Sequence, residues 1–343
     1  MILVTGGLGF IGSHIALSLM AQGQEVVIVD NLSNANVQIL QRLEYSSGMF
    51  VPFVKLDIRN TPALNKVFEQ YSIDAVVHCA GFKSIHESAL KPLEYYNDNI
   101  SGIMSLLRSM QRTGVRHLVH VSSLAVYGMS SLQLNEQQAI QYNYPNPYIK
   151  SQQMMEQIIQ DTFATDNEWK IAILRLANIG GAFGNGVLGE MVAPLPKNIL
   201  PLALQVAAQQ RDVVELRQDA ATLDHTAERS FLHVMDASRA VIASLTWLFQ
   251  QQNVCEAFDI AGDVISMQQL VAKIAQVTQK PIAQVTQKPI ATQAAIAMDT
   301  LEPAQLGSQS NKAQDILQWQ PQHDLDKMIL DQWLFYQNVL QGQ

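Results

Sequence analysis

The chain has 343 residues, of which 48% are hydrophobic and 15% charged, with a net charge of −8 and a pI of about 5.4. Since it has no cluster of basic residues, this acidic balance argues against nucleic acid or an anionic membrane as the main partner. No apolar run approaches the ~20 residues of a membrane span, and an apolar strand starting at Ile2 leads us to expect no signal peptide. Two distant cysteines, Cys79 and Cys255, predict buried thiols in a reducing cytoplasm rather than a disulfide or metal site.

Residues 2–30 follow a strand–turn–helix–strand pattern. Apolar runs at 2–4 and 26–29 predict buried parallel strands, and the second run ends at Asp30. The intervening turn has the spacing G-x-x-G-x-x-G, at Gly6, Gly9 and Gly12. Glycines so spaced allow a tight turn and bring a pyrophosphate close to a helix N-terminus, which predicts a dinucleotide site. The Asp30 carboxylate can accept hydrogen bonds from a ribose and would repel a 2′-phosphate, which favours NAD over NADP.

Further apolar runs alternate with helical stretches, at residues 50–55, 75–79, 117–122 and 169–175. This alternation predicts an α/β protein with a Rossmann-type doubly wound parallel sheet. After residue 177 the chain becomes rich in glycine and proline, which indicates a crossing into a smaller α/β substrate-binding lobe. We predict an NAD-binding domain over 1–176 plus 229–256, and the substrate-binding lobe over 177–228 plus 257–343.

A tandem repeat lies near the end of the chain. The octapeptide IAQVTQKP occupies residues 274–281 and is copied at 282–289. Its period does not match whole helical turns, and its proline interrupts a helix. We interpret it as a local duplication, in which one copy completes a helix and leads into a strand while the other forms a surface loop.

Over nearly its whole length the chain resembles the UDP-glucose 4-epimerases of the extended short-chain dehydrogenase/reductase family. The segments that carry the resemblance are TGGLGFIGSH, VDNLSN, LDIRN, HCAGFKSIHESALKPLEYYNDN, VSSLAVYG, NPYIKS and RSFLHVMD. The resemblance implies an isomerase of galactose metabolism that holds NAD tightly and epimerises a UDP-hexose, UDP-glucose or UDP-galactose, through a 4-keto intermediate. It also implies a cytoplasmic homodimer in which helices near 91–112 and 148–163 form a four-helix bundle.

The resemblance assigns the catalytic roles to Tyr148 and Ser123. A tyrosine is a weak base at neutral pH unless a nearby positive charge lowers its pKa. In the family, a Tyr-x-x-x-Lys motif supplies that charge one helical turn later, on the same face. This chain has Gln152 there, while Lys150 would face away from the tyrosine. We therefore expect NAD binding with slowed chemistry.

The resemblance also implies the binding residues. Cofactor contacts fall on Gly6, Gly9, Phe10, Ile11, Gly12, Asp30, Asn31, Asn34, Asp57, Ile58, Ala80, Gly81, Lys83, Asn99 and Gln152. Substrate contacts fall on Asn178 for the sugar, and on Asn198 and Arg229 for the diphosphate, which a guanidinium can bind through two parallel hydrogen bonds. Two positions depart from the family: residues 299–302 read DTLE in the region of its late Arg-x-Gly-Asp, and Arg217 replaces an aromatic expected beside the uracil.

The residues alone leave alternatives open. Ser123 could merely cap the next turn, Lys83 could be a surface lysine, and Arg229 could pair with Asp236. At the level of function, three hypotheses remain. The first is a nucleotide-sugar 4-epimerase with reduced activity, the second a catalytically silent NAD-binding sensor or scaffold, and the third another NAD-dependent reductase of the same fold.

Overall fold

A seven-stranded parallel sheet forms the larger part of the fold. The structure is a computed structural model and describes residues 1–184, 186–191, 198–287 and 303–342. The strands of the sheet are β1 (Ile2–Thr5), β2 (Val26–Asp30), β3 (Phe53–Lys55), β4 (Ala75–His78), β5 (His117–Ser123), β7 (Lys170–Leu176) and β13 (Val254–Ile260). They lie in the order β3-β2-β1-β4-β5-β7-β13, with every pairing parallel.

Helices cover both faces of this sheet, because side chains alternate between the two faces along each strand. Val4, Val77 and Val119 belong to one buried core, and their neighbours Leu3 and Val76 belong to the other. The helices of this part are α1 (Phe10–Ala21), α2 (Gln38–Ser47), α3 (Thr61–Gln70), α4 (Ile85–Leu90), α5 (Pro92–Thr113), α6 (Pro147–Phe163) and α8 (Val234–Leu248). The predicted doubly wound α/β class is confirmed.

A smaller sheet and its helices form the second part of the structure. Its strands are β6 (Ser131–Leu134), β8 (Asn178–Gly180), β12 (Glu228–His233), β14 (Asp263–Ser266) and β16 (Gln305–Ser308), in the order β14-β12-β16-β6 with β8 beside β12. Its helices are α7 (Ile199–Ala207), α9 (Met267–Thr278), α10 (Lys312–Leu317) and α11 (Leu325–Leu340). A third core packs α7, α9 and α11 together.

Two short strand pairs complete the described elements. The first is a hairpin of β9 (Ala182–Phe183) and β10 (Leu188–Gly189), and the second is the parallel pair of β11 (Val214–Arg217) and β15 (Gln284–Gln287). The predicted domain limits stay a prediction. Two strands do not follow these limits. Most of β12 lies within the predicted NAD-binding domain but pairs within the smaller sheet, and β13 continues in the larger sheet past residue 256.

Two expectations from composition concern the state of the cysteines and the presence of a membrane-spanning segment. Cys79 and Cys255 are both free thiols, and burial raises the pKa of each to about 12. In the described part of the chain, none of the helices combines the length and apolar character that crossing a bilayer requires.

The two copies of the octapeptide adopt different structures. Residues 274–278 of the first copy form the last turns of α9, which ends in a left-handed cap at Gln279. In the second copy, residues 284–287 form β15 and pair with β11. The predicted surface loop is therefore wrong for the described part of the second copy, since its backbone is hydrogen-bonded in a strand. Tertiary pairing decides the structure here, because the local sequence is the same in both copies.

Deleting one copy of the octapeptide tests the assignment of the second copy to β15. Removal of either copy gives the same chain, in which the last turns of α9 are kept and TQAA replaces QVTQ in β15. Because β15 would lose valine at one position, we expect a folded protein that is less stable by about 1 kcal/mol, or about 2–4 °C in Tm.

Thermal unfolding measures this effect. As a control, the double substitution Val285→Gln with Thr286→Ala in the full chain should lower Tm by a similar amount. If the shortened chain did not fold, TQAA could not replace QVTQ in β15, and this result would contradict the prediction.

Candidate active site

Two glycines around the turn between β1 and α1 have no room for a side chain. A Cβ on Gly12 would lie 2.2 Å from the carbonyl oxygen of Gly6, and one on Gly6 would lie 2.7 Å from the backbone nitrogen of Ala80. Gly6 also has a φ of +66°, a conformation that glycine adopts without strain. Helix α1 begins at Phe10 after Gly9, with no side-chain cap. The first amides of a helix have no partner within it, so those of Phe10, Ile11 and Gly12 are suited to bind phosphate.

Asp30 connects this turn to the loop after β2. Its carboxylate accepts hydrogen bonds from the backbone amides of Leu8 at 3.1 Å and Leu32 at 2.8 Å. Burial raises the pKa of Asp30, and the two amide hydrogen bonds partly oppose this increase. Each carboxylate oxygen has two acceptor sites, so Asp30 can hold the turn and still accept from a ribose hydroxyl. Asn31 and Asn34 follow in the same loop, where Asn34 is exposed.

A second group of predicted cofactor residues follows the carboxyl ends of β3 and β4. Asp57 is fixed by Arg59, whose hydrogen bond holds the pKa of that carboxyl below its usual value. Ile58 packs against α5, where a Cβ on Gly102 would lie 3.0 Å from its Cδ1. Gly81 directly follows Ala80 after β4. Together these residues line one edge of the sheet, which is where ligands of doubly wound folds bind.

Asn99 has a structural role that the sequence did not predict. Its amide oxygen accepts from the backbone amide of Phe82 at 2.8 Å, and its amide nitrogen donates to Ser151 Oγ at 2.9 Å and to the carbonyl of Phe82. Asn99 therefore fastens the loop after β4 to α6. Its side chain is buried, so any contact with a cofactor would be additional to these hydrogen bonds.

The two predicted catalytic residues are adjacent in the structure. Ser123 ends β5, and its Oγ accepts from the amide of Ala125 to cap a 3₁₀ helix, Leu124–Tyr127. Tyr148 lies in the first turn of α6, where burial raises its pKa and the neighbouring Ser123 side chain opposes that rise. Ser123 thus has the capping role and also lies near the phenol.

The overall structure and sequence match known sugar-nucleotide enzymes. Residues 2–260 match the model of the NAD dependent epimerase/dehydratase family. The protein named UDP-glucose 4-epimerase 2 from Oryza sativa subsp. japonica is 37% identical over 339 residues, covering 97% of this chain and 80% of the rice protein. The chain belongs to the NAD dependent epimerase/dehydratase family.

Solved structures agree with this assignment. UDP-glucose-4-epimerase from Stenotrophomonas maltophila, with bound NAD and formylated UDP-arabinopyranose, superposes with a TM-score of 0.91 at 31% identity. The enzyme from Bifidobacterium longum, in complex with NAD+ and UDP, gives a TM-score of 0.93 at 28% identity. Each comparison covers 100% of this chain and 99% of the other.

Gln152 lies at the position where the resemblance implies a lysine. It lies one turn after Tyr148 on α6, is buried, and its Oε1 has no hydrogen-bond partner among the described residues. A buried amide oxygen without a partner is unfavourable by about 1–3 kcal/mol. A ribose hydroxyl would supply the missing donor, and the close glycine turn fits a pyrophosphate, so these residues fit NAD.

The predicted substrate residues lie on the second part of the structure. Asn178 starts β8 directly after the larger sheet and is exposed, and Asn198 is exposed at the N-terminus of α7. Arg229, on β12, is buried and donates to the carbonyls of Glu228 and Ala304. Asp236, the alternative partner for Arg229, accepts instead from Arg239 and His323. Residues 299–302, which carry the departure from the late family motif, lie outside the described residues.

The sequence analysis did not predict a buried ion pair behind α6. Glu156, two turns after Tyr148, pairs with Arg175 of β7 at 2.7 Å and accepts from the Ser122 hydroxyl at 2.6 Å. These contacts fix α6 against the end of β5, which carries Ser123. The sequence contains an indication of this ion pair, because Arg175 is a charged residue within an otherwise apolar strand. Such a residue is rarely buried without a partner.

Proposed function

We propose that the protein is an NAD-dependent nucleotide-sugar epimerase that interconverts UDP-glucose and UDP-galactose through a 4-keto intermediate. The observation that carries the proposal is the placement of Tyr148, in the first turn of α6, and Ser123, at the end of β5, at the sheet edge that also bears the glycine turn. The relatives and solved structures named above support the same reaction and coenzyme.

The protein residues would bind the reactants and move the hydroxyl proton. Bound NAD would supply the hydride acceptor and donor for C4 of the sugar. Tyr148 would take the proton of the sugar 4-hydroxyl, and the neighbouring Ser123 would share that proton. Asn178, Asn198 and Arg229 would hold the sugar and its diphosphate, while Asp30 and Gln152 would bind the two ribose groups of the coenzyme.

A second candidate function is an NAD-binding protein without turnover. Two observations favour it: the pKa of Tyr148 is raised by burial, and Gln152 provides no positive charge to lower it. Both proposals require bound NAD, and only the first requires turnover of UDP-galactose.

Substituting Gln152→Lys tests the catalytic proposal. A cation one turn from Tyr148 should lower its pKa, so more of the phenol is ionised at neutral pH. We expect kcat for UDP-galactose to rise by about tenfold or more. In the unaltered chain kcat should increase with pH toward the raised pKa of Tyr148, and Gln152→Lys should move this increase to lower pH.

Gln160→Lys is the matched control, because it adds the same charge to the exposed side of α6. It should leave both kcat and the pH profile unchanged. A Gln152→Lys protein that binds NAD but is no faster than the original would contradict the assigned role of this position. Bound NAD without any turnover in either protein would favour the second candidate.

We also propose a cytoplasmic homodimer assembled through α5 and α6. The outer faces of these helices carry apolar side chains, with Ile100 and Met104 half-buried on α5. On α6, Met154 is exposed and Ile158 is half-buried. The apolar side chains of α5 lie on two faces, since Ile103 and Leu107 pack against the sheet instead. Two copies of this face would form a four-helix bundle.

Light scattering of the purified protein tests the dimer. We expect a mass twice the 38.1 kDa of one chain, and a shift toward the single-chain mass on Met154→Lys, which places a charge in the bundle. Leu330→Lys, at an exposed apolar position of α11, is the control and should not change the mass. A single-chain mass for the unaltered protein at micromolar concentration would contradict the proposal.

A further inference from the structure

A hairpin from the second part of the structure crosses to the helices around the glycine turn. We call residues 182–190 the hairpin strap; they comprise β9, β10 and Glu190, with residue 185 outside the described residues. The carbonyl of Val187 accepts from Arg42 of α2 at 2.8 Å, and the carbonyl of Leu188 lies 3.1 Å from Nε2 of His14 in α1. Two successive strap residues thus contact the two helices that follow β1 and β2.

The other side of the hairpin strap is held by α11. The side chain of Asn338 donates to the carbonyl of Gly186 at 3.0 Å. Gly189 lies so close to Phe335 that a Cβ at this glycine would be 2.5 Å from the ring. Because α11 packs in the core of the second part, the strap links that core directly to α1 and α2.

The strap ends at an ion pair beside the first turn of α1. Glu190 Oε1 lies 3.3 Å from Nζ of Lys83, in the loop after β4, and Nζ is 6.0 Å from the ring centre of Phe10. The Glu190 side chain is 17% exposed and that of Lys83 48% exposed. Lys83 is the only positively charged member of the predicted cofactor set, so its position affects both the charge of that site and the access to it.

We propose that Glu190 is a positioning residue of the coenzyme site. By pairing with Lys83, it fastens the hairpin strap beside the glycine turn and slows the dissociation of bound dinucleotide. This inference rests on the proposed function, because it requires NAD at the glycine turn. The contacts to Arg42 and His14 use backbone carbonyls of the strap, whereas the Lys83 contact depends on one side chain and can be removed alone.

The partial exposure of the pair sets the size of the expected effect. An ion pair accessible to solvent contributes up to about 1 kcal/mol, so breaking it should accelerate dissociation about two- to fivefold. Salt at about 1 M screens such a pair. The dissociation rate of the unaltered protein should therefore rise with salt, and that of a variant without the carboxylate should change less.

Release of NADH tests the proposal. The purified protein is loaded with NADH, and the loss of its fluorescence is followed after mixing with excess NAD. For Glu190→Gln we expect dissociation about two- to fivefold faster than for the unaltered protein at low salt, with the difference closing at about 1 M NaCl. Glu69→Gln, which removes an exposed ion pair with Arg112 on α3 and α5, should dissociate like the unaltered protein.

Two results would overturn the inference in different ways. In the first, all three proteins bind NADH, and Glu190→Gln releases it at the rate of the unaltered protein, or is faster by the same factor at low and at high salt. Glu190 then does not fasten the site through its charge. If none of the three binds NADH, the proposed function fails and this inference fails with it.

Discussion

The site is organised by a backbone contact at the ends of β1 and β4. Gly6 lies against Ala80, and Gly12 lies against Gly6, with no space for a Cβ at either glycine. This contact makes the turn, the start of α1 and the loop after β4 one packed unit. Asp30 extends the unit to the loop after β2 through its two amide hydrogen bonds. Lys83 lies in the loop after β4 and depends on this unit for its position.

A second set of buried contacts places α6, which carries Tyr148. Asn99 joins α6 to the loop after β4 through Ser151, and the ion pair of Glu156 with Arg175 joins α6 to β7. Gln152, where the resemblance implies a lysine, takes part in none of these contacts. The fold therefore does not depend on a positive charge at this position, so the proposed loss of basicity at Tyr148 is compatible with an intact coenzyme site.

Local sequence patterns predicted the main sheet well and the contacts between its parts poorly. The strand ending at Asp30 and the strand ending beside Ser123 lie where apolar periodicity placed them, since buried parallel strands have a strong local signal. By contrast, the octapeptide forms a helix in one copy and a strand in the other, so its structure is decided by β11. The Lys83–Glu190 pair joins residues more than a hundred positions apart, and no local pattern reports such a contact.

The fate of the hydrogen at C4 of the sugar tests the proposed reaction most directly. UDP-galactose carrying deuterium at C4 is incubated with the purified protein in ordinary water, without added coenzyme. We predict UDP-glucose that retains the deuterium at C4, because the hydride would be removed and returned within one closed site. Loss of the deuterium to solvent, or no UDP-glucose at all from protein that carries NAD, would contradict a reaction through transient oxidation at C4.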